Sequence, residues 1–349
     1  MSGRIRPLAL TSLHPSPILA HLFCYCSNFD FMTQSEQHRW RVLLAFALVY
    51  VFWGSTYLGI GIAVKYVPPY VMTGVRFVIA GAVMLLYCWR TNRGIRVTLP
   101  QLAKLSLIGV LLLSLANSLL AWAEVVVPTG LAALIVAITP LWFLVVDSFA
   151  FRGDRPGGKG YIGLALGIVG IGVLLWPKLM STTTLGRKQF YAASVLMLGS
   201  LCWSIGSALS KRWQKEIDPF SASGWQMTIA GLVNLGIGAA FGEFKDAHWT
   251  PQAIGAVAYL IVFGSWVGFS AYIWLLQNVS MSKVATYAYV NPVVAVFLGW
   301  IVLHERVDAY ILAGTAIVVI SVALVTQSKV KRRAGRAEET LPACEASAD

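Results

Sequence analysis

Matched tryptophans and prolines lie inside long apolar stretches of this chain, and their chemistry suits the binding of a small solute. Trp53 and Trp203 lie 150 positions apart, and Pro140 and Pro292 lie 152 positions apart. An indole ring offers a large apolar surface and one N–H donor. A proline within a helix leaves a backbone carbonyl without its usual partner. Together these groups predict a site that holds an amphipathic molecule by contacts and hydrogen bonds.

Charged and amide side chains in the same stretches extend the predicted site. Arg76 is the only basic residue well inside an apolar stretch of the sequence. A charge there is costly and usually faces protein or water, so we expect Arg76 to bind a substrate carboxylate or to pair with Glu124. The alternative is that it reaches outward to the membrane surface. The predicted substrate-binding residues are Trp53, Thr56, Tyr57, Arg76, Asn117, Pro140, Trp203, Tyr287, Asn291 and Pro292.

Two carboxylates lie near the ends of apolar stretches, and a different role is predicted for each. Proton coupling needs a buried titratable group, and Glu124 is the candidate for it, with an interfacial charge as the alternative. Glu305 is interpreted as an interfacial charge beside Arg306.

Catalytic and metal-binding patterns are absent from the sequence. His304-Glu305 begins like a zinc protease motif, but Asp308 stands where the second histidine is required. The five cysteines have no metal-ligand spacing, and no phosphate-binding loop occurs. The sequence therefore predicts a transporter of small molecules with no metal and no cofactor. The alternatives are a membrane-embedded enzyme and a membrane scaffold that does not transport.

The apolar content of the chain defines the elements that must position these residues. Of 349 residues, 57% are hydrophobic and 12% are charged, which is typical of a polytopic membrane protein. The apolar runs are too long for strands, so the predicted fold is all-α, with ten transmembrane helices. The predicted helices are 42–63, 70–89, 102–122, 128–148, 160–176, 190–210, 221–241, 253–275, 283–303 and 309–327.

The matched spacings indicate an internal duplication. The 150-residue offset of Trp53 and Trp203 is shared by Pro69 and Pro219. Five helices per copy is an odd number, so the second copy enters the membrane with the opposite polarity. The sequence thus predicts two inverted five-helix repeats, at 42–176 and 190–327, with the site where they meet near the membrane midplane.

Charge placement predicts the topology and the remaining parts of the chain. One set of predicted connections carries 18 lysines and arginines and the other set carries 6, which places both termini in the cytoplasm. The net charge of +12 is therefore a topology signal next to the lipid bilayer, and no nucleic-acid partner is predicted. Residues 1–41 are predicted to be a disordered extension, with a natural start near Met32, and 328–349 a basic and then acidic cytoplasmic tail. The sequence specifies no oligomeric state.

Three ordered stretches resemble the EamA family of the drug/metabolite transporter superfamily, nearest to its YedA-like subgroup. They are WGSTY at 53–57, PPYVMTGVRFVIAG at 68–81 and NVSMSKVATYAYVNPVVAVFLG at 278–299. The resemblance covers the chain from about Arg41 to Gln327. It implies a ten-helix inverted-repeat carrier of the plasma (inner) membrane that exports metabolites, amino acids or drugs through a central cavity, and it implies no particular ligand.

Overall fold

The computed structural model describes residues 34–146, 157–180, 183–214 and 217–327, and all regular structure in these ranges is helical. Most of the predicted extension 1–41 and the tail 328–349 lie outside the described residues. Contacts separate the chain up to Leu44 from the compact unit that begins at Ala45. The side-chain contacts described below belong to this second unit.

The apolar helical segments are numbered here in chain order. They are α1 (Gln37–Ala63), α2 (Pro69–Arg90), α3 (Leu99–Glu124), α4 (Thr129–Val145), α5 (Gly158–Leu179), α6 (Thr184–Trp213), α7 (Pro219–Ala240), α8 (Pro251–Asn278), α9 (Tyr287–Leu303) and α10 (Ala309–Gln327). Two short helices, Glu243–Asp246 and Met281–Val284, lie in connections.

Six of these segments are long and apolar enough to cross a membrane: α1, α2, α3, α5, α6 and α8. The structure is therefore that of an all-helical membrane protein. Segments α4, α9 and α10 contain shorter apolar helices, and α7 is long enough but more polar. The number of ten crossings stays a prediction.

Helix starts follow from local sequence chemistry. Thr98 caps α3 in a capping box, because its hydroxyl accepts from the Gln101 N–H while the Gln101 side chain accepts from the Thr98 N–H at 2.9 Å. Asp218 caps α7 by accepting from the N–H groups of Phe220 and Ser221, at 3.0 and 3.1 Å. Helices α2 and α7 both begin at a proline, where the missing N–H costs nothing.

Several helices depart from regular α geometry within the apolar region. Segment α4 is interrupted after Val136 and resumes at Thr139, directly before Pro140. Wide π turns occupy Val49–Trp53 in α1, Val110–Asn117 in α3 and Leu260–Phe269 in α8. Such turns occur often at functional sites, because they rotate the side chains that follow. Here they place the middle of three helices around one internal space.

Helices α2 and α7 pack through glycines. A Cβ atom added at Gly81 would stand 2.8 Å from the carbonyl oxygen of Gly224, and one added at Gly231 would stand 3.0 Å from that of Gly74. These distances leave no room for a side chain, so the two backbones approach as closely as small residues permit.

Helices α5 and α10 pack in the same way. The Ser321 hydroxyl donates to the Gly163 carbonyl at 2.6 Å, and a Cβ atom at Gly314 would stand 3.2 Å from the Gly170 carbonyl oxygen. The serine and the glycines thus allow a close contact at which a buried hydroxyl is also hydrogen-bonded.

Candidate functional site

An internal cavity lies between α1, α2, α3, α4, α6, α8 and α9. Its empty volume is about 710 Å³, a figure that includes the space open at its mouth. Eight of the ten residues predicted to bind substrate line it: Trp53, Thr56, Tyr57, Arg76, Asn117, Trp203, Tyr287 and Asn291. The structure therefore brings these side chains together, although their binding role stays a prediction.

Aromatic rings form one wall of the cavity. The centroid of the Trp53 ring lies 5.3 Å from that of Trp203 and 5.6 Å from that of Tyr287, both in edge-on arrangements. Tyr272 lies behind this wall, 4.8 Å from Trp53. Aromatic pairs in this geometry are more favourable than their buried area alone implies. The wall is therefore a rigid apolar surface.

Hydrogen bonds fix the orientation of both indoles. Trp53 Nε1 donates to the carbonyl of Gly264 at 3.1 Å, and Trp203 Nε1 donates to the Tyr272 hydroxyl at 3.1 Å. That hydroxyl also contacts Ser207 Oγ at 2.6 Å. Because both N–H groups already have partners, the indoles present mainly their apolar surfaces to the cavity.

Arg76 provides a positive charge in the same cavity. Its side chain is 3% exposed, so it does not reach outward to the membrane surface. Nε donates to Ser265 Oγ at 3.0 Å and Nη1 to Asn117 Oδ1 at 3.4 Å, while Nη2 makes no hydrogen bond with the described residues. The guanidinium carbon also lies 4.7 Å from the centroid of the Phe77 ring. Arg76 is thus held in place with free donors.

Glu124, the alternative partner predicted for Arg76, does not form an ion pair with it. No carboxylate of the described residues comes within ion-pair distance of its guanidinium, and the Arg76–Glu124 pairing considered from the sequence does not occur. Glu124 lies at the end of α3, outside the set of residues that line the cavity. Arg76 is therefore available to a ligand carboxylate.

The two amides of the predicted site differ in their pairing. Asn117 accepts the hydrogen bond from Arg76. Asn291 is 4% exposed, and its Oδ1 has no hydrogen-bond partner among the described residues. An unpaired buried amide oxygen costs free energy. A ligand donor that reached this atom would remove that cost.

The two prolines do not line the cavity. Pro140 lies in the first turn of the second part of α4, where it starts a helix instead of exposing a carbonyl to a ligand. Pro292 follows Asn291 in α9, and one residue turns a helix by about 100°. It therefore faces an apolar groove with Val296 and Ile311 on the other side of that helix.

Glu305 lies in a position different from the one expected. It caps the start of α4 and accepts hydrogen bonds there from Thr129 and Gly130, so it is more than an interfacial charge beside Arg306. The sequence alone does not reveal this contact, because it joins residues 175 and 176 positions apart.

Sequence reasoning missed the contribution of α8. Gly264, Ser265 and Phe269 line the cavity, and Ser265 orients Arg76. The available signal was the small residues Gly264, Ser265 and Gly268 in the middle of an apolar helix, which often mark a close approach. A Cβ atom at Gly264 would stand 2.7 Å from Arg76 Nη2, so this glycine makes room for the guanidinium.

The residues that line the cavity are suited to binding a solute. No cluster of three potential metal ligands occurs among the described residues. Apolar rings, a fixed guanidinium and an unpaired amide face one space, which suits reversible recognition of an amphipathic solute. A chamber of this kind among apolar helices is typical of membrane transporters.

Comparison with known proteins places the chain within that class. Residues 40–176 and 190–327 match the EamA-like transporter family, and the chain belongs to this family. It is similar to "Uncharacterized inner membrane transporter YedA" of Escherichia coli (strain K12), with 35% identity over 83% of this chain and 94% of the relative. It is also similar to "Uncharacterized transporter YvbV" of Bacillus subtilis (strain 168), with 28% identity over 87% of this chain and 97% of the relative.

A solved crystal structure shares the fold. It superposes with a TM-score of 0.61 over 82% of this chain and 96% of its own, at 18% sequence identity. This likeness concerns the fold alone.

Proposed function

We propose that the protein is a secondary transporter of the inner membrane that exports small organic solutes, such as amino acids, metabolites or drugs. The observation that carries the proposal is the cavity, in which residues from both halves of the chain meet. Alternating access would expose this cavity first to one side of the membrane and then to the other.

The packing of equivalent helices supports two inverted five-helix repeats. Gly224 and Gly231 stand 150 positions after Gly74 and Gly81, and the contact of Gly81 with Gly224 recurs as that of Gly231 with Gly74. A contact that recurs when the partners are exchanged is the mark of a two-fold relation. The 150-residue offset is the one that relates Trp53 to Trp203.

Helices α5 and α10 show the same recurrence of a contact with the partners exchanged. Gly314 and Ser321 stand 151 positions after Gly163 and Gly170. The contact of Gly163 with Ser321 recurs as that of Gly314 with Gly170. Both pairs are consistent with one pseudo-two-fold axis, and the site between the repeats is the place where transporters of this architecture bind their solutes.

The lining favours a solute with an apolar part and a carboxylate. The rings of Trp53, Trp203 and Tyr287 would contact the apolar part, and the free donors of Arg76 would bind the carboxylate. Asn291 Oδ1 would accept from an amino or hydroxyl group of the solute.

Cells that overproduce the chain are expected to resist a subset of toxic amino acids, analogues or drugs. Asn291→Ala should lower this resistance severalfold at equal membrane abundance, because it removes a ligand contact and leaves helix packing unchanged. Growth inhibition and quantitative blotting of membranes measure the two quantities. Asn278→Ala is the matched control, since the Asn278 amide donates to the Trp274 carbonyl of its own helix and bonds to no other of the described residues. Equal resistance in cells with and without the chain, for every compound, would contradict export.

Cysteines introduced by Ser35→Cys and Ser328→Cys are expected to react only from the cytoplasmic side. An even number of crossings places both termini on one side, and the lysine and arginine distribution selects the cytoplasm. Labelling with a membrane-impermeant thiol reagent, in intact and opened cells lacking the native cysteines, measures this. Labelling of the two positions from opposite sides would exclude two five-helix repeats.

A further inference from the structure

A carboxylate at the end of α9 holds the start of α4. Glu305 Oε1 accepts from the Thr129 N–H at 2.7 Å and from the Thr129 hydroxyl at 2.9 Å, and Oε2 accepts from the Gly130 N–H at 3.1 Å. These N–H groups belong to the first turn of a helix, where backbone donors otherwise lack partners. The contact joins the first half of the chain to the second.

The surrounding backbone is shaped for this contact. His304 ends α9 in the left-handed region with φ of 54°, and the Glu305 N–H then bonds to the Gly299 carbonyl at 3.1 Å. A Cβ atom at Gly299 would stand 2.5 Å from Glu305 Oε2. A side chain at position 299 would therefore displace the carboxylate, and only glycine leaves it this room.

A second carboxylate is buried beside the first. Glu124 is 7% exposed, and neither of its oxygens has a hydrogen-bond partner among the described residues. A Cβ atom at Gly61 would stand 3.6 Å from Glu124 Oε2 and would also overlap the methyl group of Thr129, so Glu124 and Thr129 pack on the same point of α1. Glu124 thus lies next to the capped helix end.

No positively charged group among the described residues pairs with Glu124 to stabilise its ionised form. Glu124 interacts electrostatically with Tyr57 of α1 and with Glu305. Among the described residues, the basic groups of the adjoining elements, Lys65, Arg187 and Lys188, make no ion pair with it. Arg306 lines a neighbouring cleft and makes no ion pair with either carboxylate. An ionised Glu124 would therefore be buried without a partner and would repel Glu305.

We propose that Glu124 is a proton-binding site, separate from the solute cavity, whose proton allows Glu305 to stay bound to the start of α4. With the proton present, both the burial cost and the repulsion disappear, and the Glu305 contact holds α4 and α9 together. When the proton leaves, the negative charge favours separation of the two helix ends and the entry of water. The site would couple protons to the opening of this end of the cavity. Only this last step rests on the proposed transport function.

A distance measurement tests the site without any solute. Spin labels attached through Val125→Cys and Val307→Cys, in a chain freed of native cysteines, report the separation between the end of α3 and the connection after α9. Both positions are exposed. The protein in lipid nanodiscs should show one short distance at mildly acidic pH, and a longer population should appear and grow as the pH rises.

Three variants separate the roles of the carboxylates. Glu124→Gln should keep the short distance at every pH, since it is always neutral, and Glu305→Gln should show the longer distance at every pH, since an amide cannot accept at both atoms. Glu243→Gln is the matched control: Glu243 also caps a helix, accepting from Tyr70 and Val71 at 2.9 and 3.0 Å, and this variant should keep the pH response.

Two results would overturn the proposal. One is a distance that does not change with pH in the parent chain, and the other is a pH response that persists in Glu124→Gln. Neither result bears on whether the central cavity carries solutes. Conversely, a protein that transports nothing could still show the predicted pH response, so the two proposals fail independently.

Discussion

Replacing Arg76 with glutamine is expected to raise the KM for carboxylate solutes roughly 10- to 100-fold, since a hydrogen bond to a charged group contributes about 1.5 to 3 kcal/mol. The loss should be smaller for cationic solutes, which gain nothing from a guanidinium. Glutamine is the residue at position 226, which lies 150 positions after Arg76. Uptake of labelled solutes into liposomes containing the purified variant measures the change.

Arg93→Gln is the control for the Arg76 experiment. Arg93 lies just beyond the end of the same helix, forms an exposed ion pair with Asp218 at 3.4 Å and does not line the cavity. Its removal alters the net charge equally but should leave solute preference unchanged, because exposed ion pairs contribute little. If Arg76→Gln carried carboxylate solutes with the parent KM, Arg76 would have no role in binding.

Gly231→Ala is expected to destabilise the protein by about 2 kcal/mol, the middle of the range for overpacking. The added methyl group would stand 2.5 Å from the backbone nitrogen of Val78 and 3.0 Å from the Gly74 carbonyl oxygen. Backbone atoms cannot move aside as a flexible side chain can. Thermal unfolding in detergent, followed by tryptophan fluorescence, should show a lower midpoint.

Gly236→Ala, in the same helix, should change stability in the opposite direction. A Cβ atom there meets nothing within 4 Å, and alanine favours a helix over glycine by up to about 1 kcal/mol. The contrast separates close packing from helix propensity. Equal midpoints for the two variants would show that the glycines of α2 and α7 do not determine how closely these helices pack.

The positions of the helices could be predicted from the sequence because apolar length is a strong signal. The matched spacing also predicted Trp53 and Trp203 around one cavity, and their rings lie 5.3 Å apart in the structure. The same offset does not predict every position. Gln226 lies 150 positions after Arg76, yet it is fully buried outside the cavity, with both polar atoms of its side-chain amide unpaired among the described residues.

The directions of side chains and the contacts between distant residues could not be predicted from the sequence. The π turns of α3 and α8 change which residues face inward, and the amino-acid composition of these segments does not predict them. The type and matched spacing of Pro140 and Pro292 predicted them at the site, but neither lines the cavity. The sequence predicted Glu305 to be an interfacial charge, because its partner, Thr129, is 176 positions away.

The close packing of α2 against α7 also bears on how the chain is made. The face of α2 that carries Gly81 finds its partner on a helix whose Gly231 is synthesised 150 residues later. At translation rates of about 5 to 20 residues per second, that delay is roughly 8 to 30 seconds. During this time the glycine face of α2 lacks its partner on α7. The contacts between α2 and α7 therefore form only after the second half of the chain has emerged.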